Sequence, residues 1–124
     1  MEERFLYLTT TGRKTAEPRR IEIWFVEHGG RHYIVSERGE ASHWVKNIQH
    51  DPAVTFSVGT REDPEARMPP TRALGRLVRD EEDPALVREV RALMDAQYRW
   101  SDGLVVELGP APADVVRPSG NAVR

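Results

Sequence analysis

The sequence contains no cysteine, which excludes disulfide bonds, thiolate metal ligands and a cysteine nucleophile. It also lacks an excess of positive charge: 18 Lys and Arg residues stand against 20 Asp and Glu residues, which argues against a general nucleic-acid-binding protein. Long apolar runs are missing, and the first stretch, MEERFLYLTTTG, opens with acidic residues, so neither a membrane span nor a signal peptide is predicted. We therefore expect a cytoplasmic protein that has no nucleic-acid partner and no membrane span.

The common nucleotide-binding and catalytic motifs are also missing. The stretch GRKT from Gly12 to Thr15 does not complete a phosphate-binding loop, because that motif needs a glycine directly before the lysine and Arg13 stands there. The chain has no dinucleotide fingerprint of three spaced glycines and no catalytic triad. Its 4 histidines are better explained as surface residues than as metal ligands. The sequence therefore predicts no metal centre.

What the chain does contain is a succession of short β-type segments, within a length that suits one domain. The segment RIEIWFVEH alternates so that Ile21, Ile23 and Phe25 share one face, as in a strand. Gly29 and Gly30 tolerate the positive φ angles of a tight hairpin turn. The predicted elements are strands at 4–11, 20–28, 31–37, 53–59, 71–80 and 103–110, a loop at 60–70, a short helix from 41 or 42 that stops before Pro52, and a long helix at 83–98.

This order lacks the regular strand-helix alternation of a parallel doubly wound sheet, so it predicts a mainly-β, α+β fold with an antiparallel sheet or small barrel and two helices. We expect one domain at 1–110 and a flexible tail at 111–124, which is rich in Pro, Gly and Ala. An incompletely closed sheet leaves edges and an apolar face to cover, which favours a homodimer. The long helix is expected to bury one stripe, formed by Leu86, Val90, Leu93 and Met94.

A cluster of cations lies between the first two predicted strands. Two interpretations of this turn remain open: a solvated loop whose charges aid solubility, or a cradle in which cationic side chains, hydroxyls and turn amides hold phosphates or carboxylates. In either case the charges are expected to be exposed, so that replacing Arg13 or Lys14 leaves folding stability almost unchanged. The residues concerned are Thr10, Thr11, Arg13, Lys14, Thr15, Arg19 and Arg20.

Four ordered motifs together carry a resemblance: LTTTGRKTAEPR, YIVSERG, HWVKNI and DPAVTFSVG. From about Leu8 to Gly59 the chain resembles the deazaflavin-dependent nitroreductase family of split β-barrel, flavin-binding-like proteins, and the likeness continues through the long helix to VVELGP. The resemblance implies a split barrel of about six antiparallel strands with two helices, similar to the pyridoxamine-phosphate-oxidase-like flavoproteins. It also implies the cofactor F420, a deazaflavin whose tail carries phosphate and a run of glutamates.

The same resemblance implies an oxidoreductase that transfers hydride between the reduced coenzyme and a small electrophile such as a quinone or a nitro compound. Because the cofactor performs the difficult step, no dedicated catalytic side chain is expected, and backbone amides and Ser36 would stabilise developing negative charge. The residues that match cofactor-binding positions are Arg13, Lys14, Thr15, Pro18, Arg19, Val35, Ser36, Trp44 and Asn47. The aromatic residues expected beside the substrate are Tyr98 and Trp100.

Two alternatives stay open at this point: a reductase of the same fold that uses FMN, and a non-catalytic carrier of the coenzyme or of another ligand. Val35 and Trp44 can also be read as simple wall residues, since apolar side chains at these spacings need no ligand. The chain departs from the family at two positions of the basic turn: Ala16 stands where glycine is usual, and Glu17 adds a negative charge.

Overall fold

The structure is a computed structural model that describes residues 3–112. Its helices are short: α1 is His43–His50 and α2 is Pro84–Tyr98. Neither helix is long and apolar enough to cross a membrane. A single 3-10 turn, Gly39–Ala41, precedes α1. The strands are β1 Phe5–Thr11, β2 Pro18–Ile23, β3 Val26–His28, β4 Arg31–Ser36, β5 Ala53–Gly59, β6 Met68–Val78 and β7 Leu104–Pro110.

The strands form one antiparallel sheet in the order β2-β1-β5-β6-β7-β4-β3. Its two outermost strands, β2 and β3, are consecutive in the chain and are separated only by Trp24 and Phe25. The curled sheet is therefore connected from one edge to the other by a single bent segment. This confirms the expected fold class, a mainly-β, α+β fold with an antiparallel sheet and two helices.

Two details of the sequence prediction are wrong. The predicted strand 20–28 is two strands, because the chain leaves β1 at Ile23 and pairs with β4 from Val26. The predicted loop 60–70 ends earlier, since Met68 and both following prolines belong to β6. The tail predicted at 111–124 lies largely outside the described residues.

The predicted stripe on α2 is also partly wrong. Leu93 is 38% exposed, whereas Val87, Val90 and Met94 are buried. Spacings of three and four residues place these buried side chains on one helix face, and Leu93 falls beside that face. Asp83 is the N-cap residue of α2, and its side chain accepts a hydrogen bond from the Leu86 amide.

Two apolar clusters hold the fold together. The first fills the inside of the curled sheet with residues from β1, β4, β5, β6 and β7, and Ile48 of α1 packs into it. The second lies between α2 and the outer surfaces of β3, β4, β6 and β7. Thus α1 closes one end of the sheet, next to the β1–β2 turn, while α2 covers one outer surface.

A buried carboxylate ties three neighbouring strands together. Glu107 of β7 accepts hydrogen bonds from the Tyr33 hydroxyl (2.8 Å), from Arg31 (3.0 Å) and from Arg76 (3.2 Å). Burial alone would raise the pKa of Glu107, but the hydrogen bonds from Arg76 and Tyr33 outweigh it and lower this pKa. Burial and the Glu107 carboxylate raise the pKa of Tyr33 to about 12. The cluster is therefore a paired, structural ionic group.

Candidate functional site

The basic turn between β1 and β2 has a defined conformation. The Gly12 amide donates to the Glu17 carbonyl (2.7 Å), and the Ala16 amide donates to the Gly12 carbonyl (2.8 Å). Ala16 has φ 62°, in the left-handed region where glycine is favoured. This explains why a glycine suits the position and why alanine is strained there.

Asn47 of α1 anchors the turn from below. Its Oδ1 accepts from the Arg13 amide (3.2 Å) and from Arg13 Nη1 (3.0 Å), and its Nδ2 donates to Thr10 Oγ1 (3.0 Å). Asn47 is only 4% exposed, so these bonds satisfy a buried amide group. Arg13 Nη2 also lies 3.3 Å from His43 Nδ1. The expectation that Arg13 is an exposed turn charge is therefore wrong, whereas Lys14 is exposed.

A cavity of about 370 Å³, which we call the cradle, lies between this turn and α1. It brings together six of the residues predicted to bind the cofactor. Its one nearby acid on the turn, Glu17, lies 3.8 Å from Arg19 and offsets part of the positive charge. The lining residues are Thr10, Gly12, Arg13, Lys14, Thr15, Arg19, Ile21, His43, Trp44 and Asn47.

Three of the residues predicted to bind a ligand at this turn, Thr11, Pro18 and Arg20, do not line the cradle. Thr11 and Pro18 border a different cavity, over β1, β5 and β6. Arg20 turns its guanidinium over the ring of Tyr7, 5.2 Å from the centroid. Alternation along β2 explains the difference, because Arg19 and Arg20 point to opposite sides of the strand.

A second and larger cavity of about 680 Å³, which we call the groove, adjoins the cradle. Ile21 and Trp44 line both cavities, so they form the shared boundary. The groove includes Val35 and Ser36, the predicted ring-binding residues at the end of β4, and the predicted substrate residue Trp100. Its lining residues are Phe5, Ile21, Glu22, Ile23, Trp24, Val35, Ser36, Glu37, Arg38, Ser42, Trp44, Met94 and Trp100.

Ser36 already uses its hydroxyl within the protein. Its Oγ donates to the Gly39 carbonyl (2.8 Å) and lies 2.7 Å from Ser42 Oγ. Because a hydroxyl has only one proton, Ser42 is the donor in the serine pair. The pair fixes the segment between β4 and α1, so Ser36 shapes the groove. Its hydroxyl is hydrogen-bonded within the protein and not to a ligand.

Tyr98 is placed behind the groove. Its hydroxyl accepts from the Phe25 amide (3.2 Å) and donates to the Phe25 carbonyl (2.8 Å). Its ring stacks on Trp24, with centroids 4.6 Å apart and planes 6° from parallel. Trp24 is one of the groove residues that sequence reasoning missed. Its signal was a large aromatic residue directly after β2, a strand whose residues Arg19 and Ile21 line the cradle. The bend at this point is set by contacts distant in sequence.

Glu22 is a paired carboxylate at the groove. Hydrogen bonds from Arg61, assisted by one from the Tyr7 hydroxyl, lower the pKa of Glu22, so this side chain is a paired carboxylate at neutral pH. The other titratable groups that line the groove within residues 3–112 are Glu37 and Arg38. Across the same described range, no three potential ligands come together as a metal site would require.

Replacing Ala16 with glycine is expected to raise the free energy of unfolding by about 1 kcal/mol, because glycine adopts φ 62° without the steric cost that alanine bears. Chemical denaturation measures the change. Ala92→Gly, at an exposed position of α2, is the matched control and should lose about 1 kcal/mol, since glycine disfavours a helix. A loss in both variants would mean that Ala16 is not strained.

Several solved structures share this fold. The heme storage protein HutZ from Vibrio cholerae is 17% identical, with a TM-score of 0.66, and the match covers 88% of this chain and 82% of that chain. An F420 reductase is 18% identical with a TM-score of 0.62, covering 90% and 89%. The F420-H2 dependent reductase FDR-A is 22% identical with a TM-score of 0.53, covering 87% and 96%. At sequence identities this low, the structural similarity establishes the fold of this chain.

The profile of the F420H(2)-dependent quinone reductase family matches residues 1–102. The matched range contains the basic turn, α1, α2 and every residue that lines the cradle and the groove. It therefore covers the whole candidate site and most of the sheet. The chain belongs to the F420H(2)-dependent quinone reductase family and is an F420-dependent reductase.

Proposed function

We propose that the protein binds the acidic tail of F420 in the cradle and its ring in the groove, and passes hydride from the reduced coenzyme to a small electrophile such as a quinone or a nitro compound. The main support for this proposal is that the two cavities meet at Ile21 and Trp44. A cationic site and a largely apolar site share one boundary, as a ligand with a charged tail and a planar ring requires.

The cradle suits a ligand with several negative charges. Arg13, Lys14 and Arg19 contribute three cationic side chains, and the amides of Lys14 and Thr15 have no hydrogen-bond acceptor within residues 3–112. Guanidinium groups and free turn amides are suited to phosphate and carboxylate oxygens. Since Asn47 already fixes Arg13, this side chain need not be ordered when the ligand binds. Three cations exceed the need of one phosphate, which favours F420 over FMN.

The groove suits the ring and the electrophile. Val35 is buried beneath it, and Trp44 stands at its junction with the cradle. These apolar walls exclude water, which strengthens the electrostatic interactions of a reacting pair. The reduced deazaflavin, when bound, supplies the hydride. The paired state of Glu22 keeps this carboxylate charged, so its role is to shape the groove rather than to donate a proton.

We also propose a homodimer. The outer surfaces of β1, β5 and β6 carry a depression of about 330 Å³, bordered by Thr9, Thr55 and Leu74, which a second copy could cover. Uncovered strand surfaces of this kind favour association between copies. Light scattering after size-exclusion chromatography should give twice the mass of one chain, and the mass of one chain would contradict the dimer.

Turnover tests the proposed function. Purified protein mixed with reduced F420 and naphthoquinone should oxidise the coenzyme, which the return of the oxidised deazaflavin absorbance reports. A parallel reaction with reduced FMN should be much slower. Tight F420 binding without oxidation, for quinones and nitro compounds alike, would instead indicate a carrier, and faster oxidation of FMN would indicate a flavin enzyme.

A further inference from the structure

The three tryptophans of the chain all line the groove. Trp44 also borders the cradle, whereas Trp24 and Trp100 border the groove alone. Trp24 is 36% exposed, and it shares this property with only one other large apolar side chain of the described residues, Leu93. A large exposed aromatic surface inside a cavity points to a ligand with an aromatic face of its own.

The ring of Trp24 is held in one orientation. Tyr98 covers one face in a nearly parallel stack, so the exposed part belongs to the opposite face and the ring edges. The indole Nε1 donates to Glu3 Oε2 (3.1 Å), which restricts rotation of the ring. Tyr98 is itself fixed by its two hydrogen bonds to the backbone of Phe25. This arrangement presents a flat surface that a ligand can use without ordering the side chain first.

We propose that Trp24 is a specificity-determining residue, which selects electron acceptors with extended aromatic rings by stacking on them, and that Tyr98 is its positioning residue. This inference rests on the proposed function, because it assigns the acceptor of the same reaction. The boundary between the cavities supports the choice of ligand. A coenzyme whose tail occupies the cradle meets Trp44 at the junction, which leaves Trp24 to the second reactant.

The test compares two acceptors, naphthoquinone and benzoquinone. They share a reactive dione, and naphthoquinone has one additional fused aromatic ring. With saturating reduced F420, Trp24→Leu should raise KM for naphthoquinone about three- to tenfold, the range expected for loss of an aromatic pair. KM for benzoquinone should change less, and kcat for both should stay near the wild-type value. Trp24→Phe should restore part of the preference.

Tyr98→Phe keeps the stacked ring but removes the hydroxyl that bonds to Phe25. We expect it to lower the preference for naphthoquinone in the same direction as Trp24→Leu, with kcat unchanged, since only the position of Trp24 is affected. Leu93→Ala is the matched control, because Leu93 is as exposed as Trp24 and does not line the groove. It should leave both KM values unchanged.

Other outcomes overturn the inference. An equal change for both quinones, or a fall in melting temperature alone, would assign Trp24 a purely structural role. A weaker Kd for F420 in Trp24→Leu would mean that Trp24 stacks on the coenzyme. If wild-type protein fails to oxidise reduced F420, the proposed function is wrong. In that case, calorimetric titration of coenzyme-free protein with naphthoquinone tests separately whether Trp24 stacks on this ligand. Weaker binding to Trp24→Leu than to wild type would support stacking, and equal or absent binding would refute it.

Discussion

Lys14→Ala is expected to weaken F420 binding by about tenfold to more than a hundredfold. A hydrogen bond to a charged group contributes about 1.5–3 kcal/mol, which corresponds to this range of Kd. Lys14 is exposed and lines the cradle, but it does not line the groove, where Val35 and Ser36 lie. Its contact with the tail is equally strong before and during hydride transfer, so kcat at saturating coenzyme should hardly change. Titration of the coenzyme, together with steady-state kinetics, measures both quantities.

Lys46→Ala is the matched control for Lys14→Ala. Lys46 is an exposed lysine on α1 that does not line the cradle, so its loss changes the net charge equally. It should leave Kd within about twofold of wild type, as expected for an exposed and screened charge outside the cradle. Equal effects of the two variants would contradict a specific role for the turn. A collapse of kcat in Lys14→Ala would instead place this residue beside the reacting ring.

Arg13→Ala should differ from Lys14→Ala in one respect. Both should weaken F420 binding, but Arg13→Ala also removes a hydrogen bond to the buried Oδ1 of Asn47. The backbone amide of residue 13 still bonds to this oxygen, so we expect a loss of about 1 kcal/mol of folding stability. Lys14→Ala should show almost no loss, since exposed charges contribute little.

Gly103→Ala is expected to destabilise the protein by about 3 kcal/mol or more. A Cβ at this position would lie 2.3 Å from the Ser36 carbonyl oxygen and 2.8 Å from Val35 Cγ1. The first contact is with backbone, which cannot move aside as the end of a flexible side chain can. Strand β4 would therefore have to shift at the point where it lines the groove. Denaturation measures the loss of stability.

A second glycine near the same strand gives the control. A Cβ on Gly109 of β7 would find its nearest neighbour at 3.4 Å, the end of the Arg31 side chain. Gly109→Ala should therefore stay within about 0.5 kcal/mol of wild type. Similar stability of Gly103→Ala and Gly109→Ala would show that β4 and the start of β7 are not packed as closely as described.

Local patterns in the sequence predicted most of the fold. Composition rich in β-forming residues located β1 and β5, and the glycine turn located β4. Gly29 and Gly30 adopt the positive φ angles, 59° and 80°, that the hairpin prediction required. The bend after Ile23 escaped prediction because it depends on Tyr98, whose bonds to Phe25 join residues 73 positions apart. Leu93 was wrongly predicted to be buried. Apolar residues at helical spacing occur on two adjacent faces of α2, and spacing alone does not show which face packs on the sheet.

The site was predicted less completely than the fold. Clustered charge identified the turn, and the family motifs identified Trp44 and Asn47, which the structure brings to one cavity. The bonds that fix Arg13 could not be predicted, because Asn47 lies 34 residues away and reaches the turn only once α1 has packed against β1. Likewise, the hydroxyl of Ser36 meets Ser42 and Gly39 only after the 3-10 turn forms.

The central claim is that the cradle binds the charged tail of the coenzyme, and the most direct test is a titration of the protein with F420 and with FMN at low and high salt. F420 should bind more tightly than FMN, and its affinity should fall more steeply with salt, because more charge pairs are exposed to screening. F420 with a shortened glutamate tail should bind more weakly and with a flatter salt dependence. FMN binding as tightly as F420, with the same salt dependence, would contradict the account.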